Sequence, residues 1–555
     1  MMKGFFLNRD KFLNILDNIN IWDVLIIGGG ATGLGIALDS ASRGYKTILL
    51  EQSDFSKGTS SRSTKLVHGG IRYLAQGNIK LVYEALQERG LLLKNAPHLV
   101  KKQRFVIPIF SWKMGFLYWT GLKLYEWLAG SLSFGKCKFL SKNEILKIFP
   151  EIKPDKLKGG ILYYDGQFDD ARLAINLAQT CVQKGGILLN YFQVKNLIKK
   201  VGNKISGVIA DDLETKKEYS IYSKTVINAT GVFSNAISKM DESKCTILIK
   251  PSQGTHIVLK KSFFSSSNAI VIPKTSDGRV LFSVPWYDHV LVGTTDTFLD
   301  KCILEPKPLE KEIDFILKTF NKYFIHSPRK SDILSAFSGL RPLVVSHHLS
   351  HSSSTKDISR SHKLMISPSG LVTIIGGKWT TYRKMAEDTV NKAIEIGNLN
   401  KVPSLTKNIK IYGSVSSSNS NNNRKKQSSC WKKYGEDEYH IKKLIQDNPL
   451  LGDSLIISQE EDNKDDKNKY SSYYSCTKAE VIWMVRYEMA RTIEDVLARR
   501  LRLLFLNAKI AIEIAPKVAS LMAQELSRDE SWEKSQVASF KELAMQYYYP
   551  SDPSV

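Results

Sequence analysis

Apolar residues run unbroken from Val24 to Ile27, stop at Gly28-Gly29-Gly30-Ala31-Thr32-Gly33, and resume in Ala, Leu and Ser at helical spacing. A second apolar run, Thr47-Ile48-Leu49-Leu50, then ends on Glu51. The pattern predicts a buried strand, a tight turn, a helix and a second buried strand closed by an acid. Similar short runs recur at Ile187-Leu188-Leu189, at Thr225-Val226-Ile227-Asn228 before Gly231, and at Val372-Thr373-Ile374-Ile375 before Gly376-Gly377. Strands of one parallel sheet would deliver their C-terminal ends to a common crevice, so a single domain assembled from three distant stretches is expected. Between them, residues 252–343 hold further strand-like runs, such as Thr255-His256-Ile257-Val258-Leu259 and Arg279-Val280-Leu281-Phe282-Ser283-Val284, which read as a second, antiparallel sheet.

Four other segments break this pattern. Residues 105–132 mix Trp112, Phe116, Leu117 and Trp119 with Lys113 and Lys123, a composition that suits a membrane interface but also an ordinary helix packed on the core. Residues 414–429 and 460–469 are polar and read as exposed loops. From 478 to 526, Val481, Met484, Val485, Met489, Ile493, Val496, Leu497 and Leu501 recur near helical spacing and predict a small helical domain.

The glycine turn has a specific chemical reading. Gly28 allows the tight turn, Gly30 lets a pyrophosphate approach the backbone, Gly33 lets the helix pack on the strand, and the helix N-terminus faces the phosphates. A carboxylate at Glu51 is placed to accept hydrogen bonds from a ribose diol. An adenine dinucleotide is therefore expected, with NAD and FAD both open.

The bulk numbers narrow the class. A chain of 555 residues exceeds one ordinary core, and 43% hydrophobic with 24% charged residues is the composition of a folded enzyme. The excess of 79 basic over 55 acidic residues, +24, favours an anionic partner: a phosphorylated substrate, an acidic lipid surface or nucleic acid. No apolar stretch is long enough to span a bilayer, and the first twenty residues lack a secretory h-region. The six cysteines form no CxxC pair, so no metal site is expected and a reducing cytosolic setting is the natural reading.

Further motifs gather polar groups near the expected crevice. The loop Gly58-Thr59-Ser60-Ser61-Arg62-Ser63-Thr64-Lys65 leads into Leu66-Val67-His68-Gly69-Gly70-Ile71-Arg72-Tyr73-Leu74. Asn228-Ala229-Thr230-Gly231 and Gly376-Gly377-Lys378-Trp379-Thr380-Thr381-Tyr382-Arg383 each follow a strand. With FDDARL at 168–173, GTHIVL at 254–259, VGTTD at 292–296 and SGLRPL at 338–343, they occur in an order that closely resembles FAD-dependent, respiratory-chain-linked glycerol-3-phosphate dehydrogenases. The resemblance extends into EVIWMVRYEMARTIEDVLARRLRLLFL at 480–506.

That resemblance implies an α/β fold: a Rossmann-like FAD-binding domain with an inserted antiparallel-sheet substrate domain, of glutathione-reductase or D-amino-acid-oxidase type, and a C-terminal helical domain. The implied boundaries are 20–100, 151–250 and 355–400 for the FAD domain, and 101–150 with 251–354 for the substrate domain. The helical domain takes 401–555, with a low-complexity insert at 414–469. The implied reaction oxidises sn-glycerol 3-phosphate at C2 to dihydroxyacetone phosphate, with hydride passing to FAD and electrons to a membrane quinone.

Residue by residue, the resemblance implies that His256 is the base, that Arg341, Arg72, Arg360 and Lys378 hold the phosphate, and that Tyr73 orients the substrate. FAD contacts would come from Gly28, Gly30, Thr32, Gly33, Glu51, Thr59, Ser60, Ser61, Ser63, Lys65, His68, Gly69, Gly70, Ala229, Gly231, Gly377, Lys378 and Thr381. It further implies peripheral attachment to the inner face of the cytoplasmic membrane, and leaves a homodimer open. A glycerol-3-phosphate oxidase using oxygen would share these motifs. A pyridine-nucleotide reductase should carry a second GxGxxG, which is absent. A basic, non-catalytic membrane or nucleic-acid scaffold would concentrate its cations in a stripe, whereas here they are spread along the chain, and no nucleic-acid partner is expected.

Overall fold

The computed structural model describes residues 6–74, 76–242, 249–273, 275, 278–344, 361–414, 430–456 and 476–550. Strands Trp22–Ile27, Thr47–Leu50, Ile187–Leu189, Glu218–Asn228 and Val372–Ile375 form a parallel sheet, with Lys363–Ile366 antiparallel at one edge. Trp22–Ile27 is central, and its Val24, Leu25 and Ile26 are fully buried because helices cover the sheet. That is why the run is continuously apolar rather than alternating. Helix Ala31–Ser42 packs against both Asp170–Gln183 and Tyr382–Ile396. The hairpin Phe192–Lys200 and Lys204–Asp212 extends this sheet from Glu218–Asn228.

A second sheet of ten strands contains the long pairs Val100–Ile109 with Gly159–Phe168 and Ile249–Lys260 with Ile333–Val344. It is antiparallel as expected except where Ala269–Ile272 runs parallel to Val100–Ile109. The register that matters for chemistry sets Ser252 opposite Arg341 and His256 opposite Phe337.

The aromatic segment divides between two structures. Val100–Ile109 is a core strand, whereas the helix Trp112–Ala129 buries Gly115, Leu122, Tyr125 and Leu128 and turns other apolar residues outward. Phe116 is 71% and Trp127 75% exposed. Within 414–469, positions 415–429 and 457–469 lie outside the described residues. The helix Asp437–Asp447 between them buries Ile441 against the C-terminal core, so that stretch is not a loop throughout.

The expected C-terminal helical domain consists of several helices rather than one continuous run. Helices Lys478–Tyr487 and Ala508–Leu526 are separated by left-handed residues Met489 (φ 57°) and Arg502 (φ 67°) and a wide turn at Asp495–Arg500. Hydrogen bonding explains the breaks. Asn190 donates to the Met489 carbonyl at 3.0 Å, and Arg500 Nη2 donates to the Glu488 carbonyl at 2.7 Å. The interruption carries Arg499, Arg500 and Arg502 into the interior, where none is more than 2% exposed.

Their partners come from the first third of the chain. Asp54 accepts from Arg499 Nε at 2.6 Å and from Arg500 Nη1 at 2.8 Å; Asp170 accepts from Arg502 Nη2 at 2.9 Å and from Lys65 Nζ at 2.7 Å. Nearby, Glu494 pairs with Lys57 and Arg499, while Glu305 pairs with Lys57 and Arg62. Removing one member of such a buried set strands the other charge, at about 3–5 kcal/mol. Asp54→Ala is therefore expected to destabilise the protein by about that amount in chemical denaturation; a change below about 1 kcal/mol contradicts this reading.

The same network predicts acid lability. Burial disfavours the Glu494 carboxylate, but the charges of Arg499 and Lys57 outweigh it and hold the group down from 4.5 to about 2. Its stabilisation is present above 4.5 and is lost as pH falls from there towards 2. Thermal melts across that window should show Tm falling more steeply in wild type than in Glu494→Gln.

Candidate active site

Three strand ends meet at one edge of the parallel sheet. Ile27 is level with Asn228, and Asn228 with Thr373, so the glycine turns after these strands lie side by side. Gly28 has φ 109°, and a Cβ there would stand 2.8 Å from the Ala229 carbonyl oxygen. At Gly33 a Cβ would come within 1.8 Å of the Gly28 carbonyl oxygen. Neither position admits a side chain without opening the turn.

Helix Ala31–Ser42 begins at Gly30, which has no side chain to cap it, and carries no acid in its first turn, and its positive end faces a cleft of about 340 Å³. Gly28, Gly30, Thr32, Glu51, Thr59, Ser60, Ala229, Gly231, Gly377 and Lys378 all line this cleft. Ser60 Oγ accepts from Ala31 N at 2.9 Å, and Trp379 Nε1 donates to the Ser60 carbonyl at 2.8 Å. Thr59 Oγ1 donates to the Leu340 carbonyl at 2.6 Å. Glu51 accepts from Gly29 N at 2.6 Å and Ser53 N at 2.9 Å; burial raises its pKa against these two donors.

The HGG and GGKWTT segments pack on each other. Thr380 Oγ1 accepts from His68 N at 3.2 Å, Tyr125 accepts from Gly69 N at 2.7 Å, and Lys378 Nζ lies 4.0 Å from the centre of the Tyr73 ring. Gly70 is left-handed at φ 77°, and a Cβ there would meet the Tyr73 ring at 2.6 Å. Thr381 is buried and donates to the Lys378 carbonyl at 3.2 Å. His68, Gly69, Gly70, Tyr73, Lys378 and Thr381 are thus gathered together, although of these only Lys378 lines the cleft. Gly33 is likewise off the cleft, set against the turn.

A third cluster lies on the second sheet. Arg341 Nη2 donates to Thr294 Oγ1 and to the Thr295 carbonyl, both at 3.0 Å, and Nη1 pairs with Asp296 at 3.3 Å. Gly254 makes room for this fork, since a Cβ there would be 2.2 Å from Arg341 Nη2. Below it, Glu312 accepts from Gln253, Thr255, Thr295 and Thr297, and so fixes the strand and loop that carry these groups. His256 is 2% exposed, stacks on Phe337 at 5.1 Å, and shares a hydrogen bond of 3.0 Å between Nε2 and Thr64 Oγ1. Burial first, then the cations of Lys65 and Arg341, push its pKa well below 6.5, so the imidazole is neutral.

Three of the expected cofactor contacts point elsewhere. Ser63 Oγ donates to Asp170 at 2.7 Å, Lys65 Nζ is fully buried against the same carboxylate and the Ser61 carbonyl, and Ser61 Oγ faces the Gly58 carbonyl at 3.4 Å. None of the three lines the cleft. For Ser63 and Lys65 the physical reason is Asp170, a buried carboxylate that needs donors. Arg72 lies in the short helical turn Ile71–Tyr73, its side chain outside what is described, and Arg360 lies outside the described residues. Asp170, Thr64, Glu312 and Lys57 were not anticipated. Only the acidic pair in FDDARL and the Arg-Arg-Leu-Arg run signalled them.

The family described as FAD dependent oxidoreductase matches residues 23–383, and the C-terminal domain of alpha-glycerophosphate oxidase matches residues 404–533. The mitochondrial glycerol-3-phosphate dehydrogenase of Bos taurus is 39% identical, over 98% of this chain and 75% of the relative. That of Schizosaccharomyces pombe is 37% identical, over 94% and 87%. The chain belongs to the FAD-dependent glycerol-3-phosphate dehydrogenase family.

A solved member, the glycerol-3-phosphate dehydrogenase from Bacillus halodurans complexed with FAD, superposes with a TM-score of 0.74 at 29% identity, covering 99% of both chains. The L-alpha-glycerophosphate oxidase of Mycoplasma pneumoniae, at 20% identity and TM-score 0.54, shares the fold over 70% of this chain and 98% of its own. The cleft fits the family's FAD. Side-chain-free backbone surrounds the helix N-terminus where a pyrophosphate needs close approach, and Glu51 closes the strand beside it. Gly33→Ala, which forces a methyl group into the Gly28 carbonyl, is expected to yield protein without bound flavin; visible flavin absorbance per protein at the wild-type ratio contradicts this.

Proposed function

We propose that this chain oxidises sn-glycerol 3-phosphate to dihydroxyacetone phosphate and passes the electrons to a membrane quinone. The observation that carries the reading is the pairing, on one strand and its neighbour, of a fixed guanidinium at Arg341 with a neutral buried imidazole at His256. Phosphate recognition calls for a planar fork of donors held in place, and alcohol oxidation calls for a group able to accept the hydroxyl proton. FAD, when bound, takes up the hydride from C2.

Each residue then has one task. Arg341, kept in orientation by Thr294 and Asp296, holds the substrate phosphate, with Lys378 and the family-matched Arg72 and Arg360 adding charge. Tyr73, under the Lys378 ammonium, orients the substrate. His256 accepts the proton from the C2 hydroxyl. Glu51, Gly30, Thr59 and Ser60 hold the adenine dinucleotide end of the cofactor along the cleft they line.

Arg341→Lys replaces a fork by a point charge and is expected to raise KM with flavin still bound; unchanged kinetics contradict the assignment. His256→Ala is expected to slow anaerobic flavin reduction about 10²-fold or more. Because the wild-type imidazole is neutral down to well below 6.5, the rate should stay level as pH falls to that value and drop only beneath it. A fall centred on 6.5 or above contradicts His256 as base.

The quinone assignment draws support from the outward face of helix Trp112–Ala129, where Trp112, Phe116, Leu117 and Trp127 are each more than half exposed and Lys123 stands nearby. Such a face fits the boundary of an anionic bilayer. Among the described residues no helix is long and apolar enough to cross a membrane. Phe116→Ser combined with Trp127→Ser is expected to abolish co-sedimentation with anionic vesicles while leaving flavin reduction by glycerol 3-phosphate unchanged. The C-terminal match to an oxidase gives oxygen as the second reading. Anaerobic reduction followed by mixing with a soluble quinone or with oxygen separates the two: faster reoxidation by quinone supports the dehydrogenase, faster reoxidation by oxygen the oxidase.

A further inference from the structure

We propose that Thr64 is a positioning residue for the reaction, fixing the ring of His256 in one orientation. This rests on the reading of His256 as proton acceptor. Thr64 Oγ1 lies 3.0 Å from His256 Nε2, and Nδ1 of the same ring is buried with no hydrogen-bond partner among the described residues. The stack on Phe337 restrains the tilt of the ring but not its rotation within its own plane. The Thr64 contact fixes that rotation, because only Nε2 can pair with the hydroxyl where it stands.

Thr64 can do this because its neighbours leave it little freedom. Asp170 accepts from Ser63 N at 3.1 Å, from Ser63 Oγ at 2.7 Å and from Lys65 Nζ at 2.7 Å, and Arg502 Nη2 holds its other oxygen at 2.9 Å. Lys65 N donates back to Ser63 Oγ at 3.0 Å, and Lys65 adopts φ 62°, a conformation that side-chain-bearing residues rarely take. Residues on both sides of Thr64 are thus tied to one buried carboxylate, and its hydroxyl is presented to His256. The Lys65 ammonium, 5.2 Å from the centre of the Phe337 ring that also stacks on the imidazole, adds a cation that opposes early protonation of His256.

The role separates Thr64 from a merely structural residue. Thr64→Val keeps the shape and loses the hydroxyl; it is expected to slow anaerobic flavin reduction by glycerol 3-phosphate about 10- to 100-fold, with flavin content and KM unchanged. Thr64→Ser should restore the rate to within about threefold of wild type. In a His256→Ala background Thr64→Val should have no further effect, because the two act as one unit. Independently of activity, the Nε2 ¹⁵N shift of His256 should be the same in wild type and Thr64→Ser and should move in Thr64→Val, which loses the hydrogen bond.

The outcomes are distinguishable. A slow His256→Ala enzyme beside a Thr64→Val enzyme at the wild-type rate overturns the inference and leaves the base intact. Slowing by Thr64→Val that persists in the His256→Ala background also overturns it. If His256→Ala reduces its flavin at the wild-type rate, the base assignment itself fails, and ring shifts unaffected by Thr64→Val then overturn the contact as well.

Discussion

The structure depends on a small set of buried carboxylates, above all Asp54 and Asp170, that sit in the first third of the chain and are neutralised by Arg499, Arg500 and Arg502 from near its C-terminal end. Neither end of this arrangement is stable without the other, since a lone buried charge costs several kcal/mol. The demand for charge pairing overrides local propensity. It breaks a helix that the hydrophobic spacing would otherwise continue, and holds Met489 and Arg502 in left-handed conformations. The helical region is thereby locked to the elements that carry the cleft.

The same carboxylates connect architecture to chemistry. Asp170 receives Arg502 on one oxygen and Lys65 with Ser63 on the other, so the docking of the C-terminal helices and the shape of the turn that presents Thr64 to His256 are one constraint. Elsewhere on the second sheet, Glu312 gathers the hydroxyls of Thr255, Thr295 and Thr297, and the loop so fixed supplies the acceptors of Arg341. The groups proposed to meet the substrate are held by buried acids, and those proposed to meet the cofactor by glycine backbone. The division follows from what each must do: an anion-binding turn needs bare N–H groups, whereas a proton acceptor needs a fixed ring kept neutral.

The parallel sheet was legible because a strand buried on both faces must be continuously apolar and must end in glycine where backbone approaches a ligand; Val24 to Gly33 and Val372 to Gly377 satisfy both. The second sheet was legible from its runs of β-branched and apolar residues, but the parallel pair among its described strands was not, since Ala269–Ile272 carries no mark of its neighbour's direction. Roles within the serine-rich loop were the least readable. Ser60, Ser61 and Ser63 look alike in sequence, yet only Ser60 reaches the cleft, because Asp170, more than a hundred residues away, draws Ser63 and Lys65 to itself. The helical break after Tyr487 was hidden for the same reason: its cause is a partner distant in sequence.

The central claim is that the C2–H bond of glycerol 3-phosphate is broken at this site with its hydride delivered to the flavin. Anaerobic mixing of the flavin-loaded protein with glycerol 3-phosphate, unlabelled or deuterated at C2, tests it most directly. Hydride transfer from C2 would make bleaching of the flavin several-fold slower with the deuterated substrate. No bleaching, or bleaching at the same rate with both when the chemical step is observed, would contradict it.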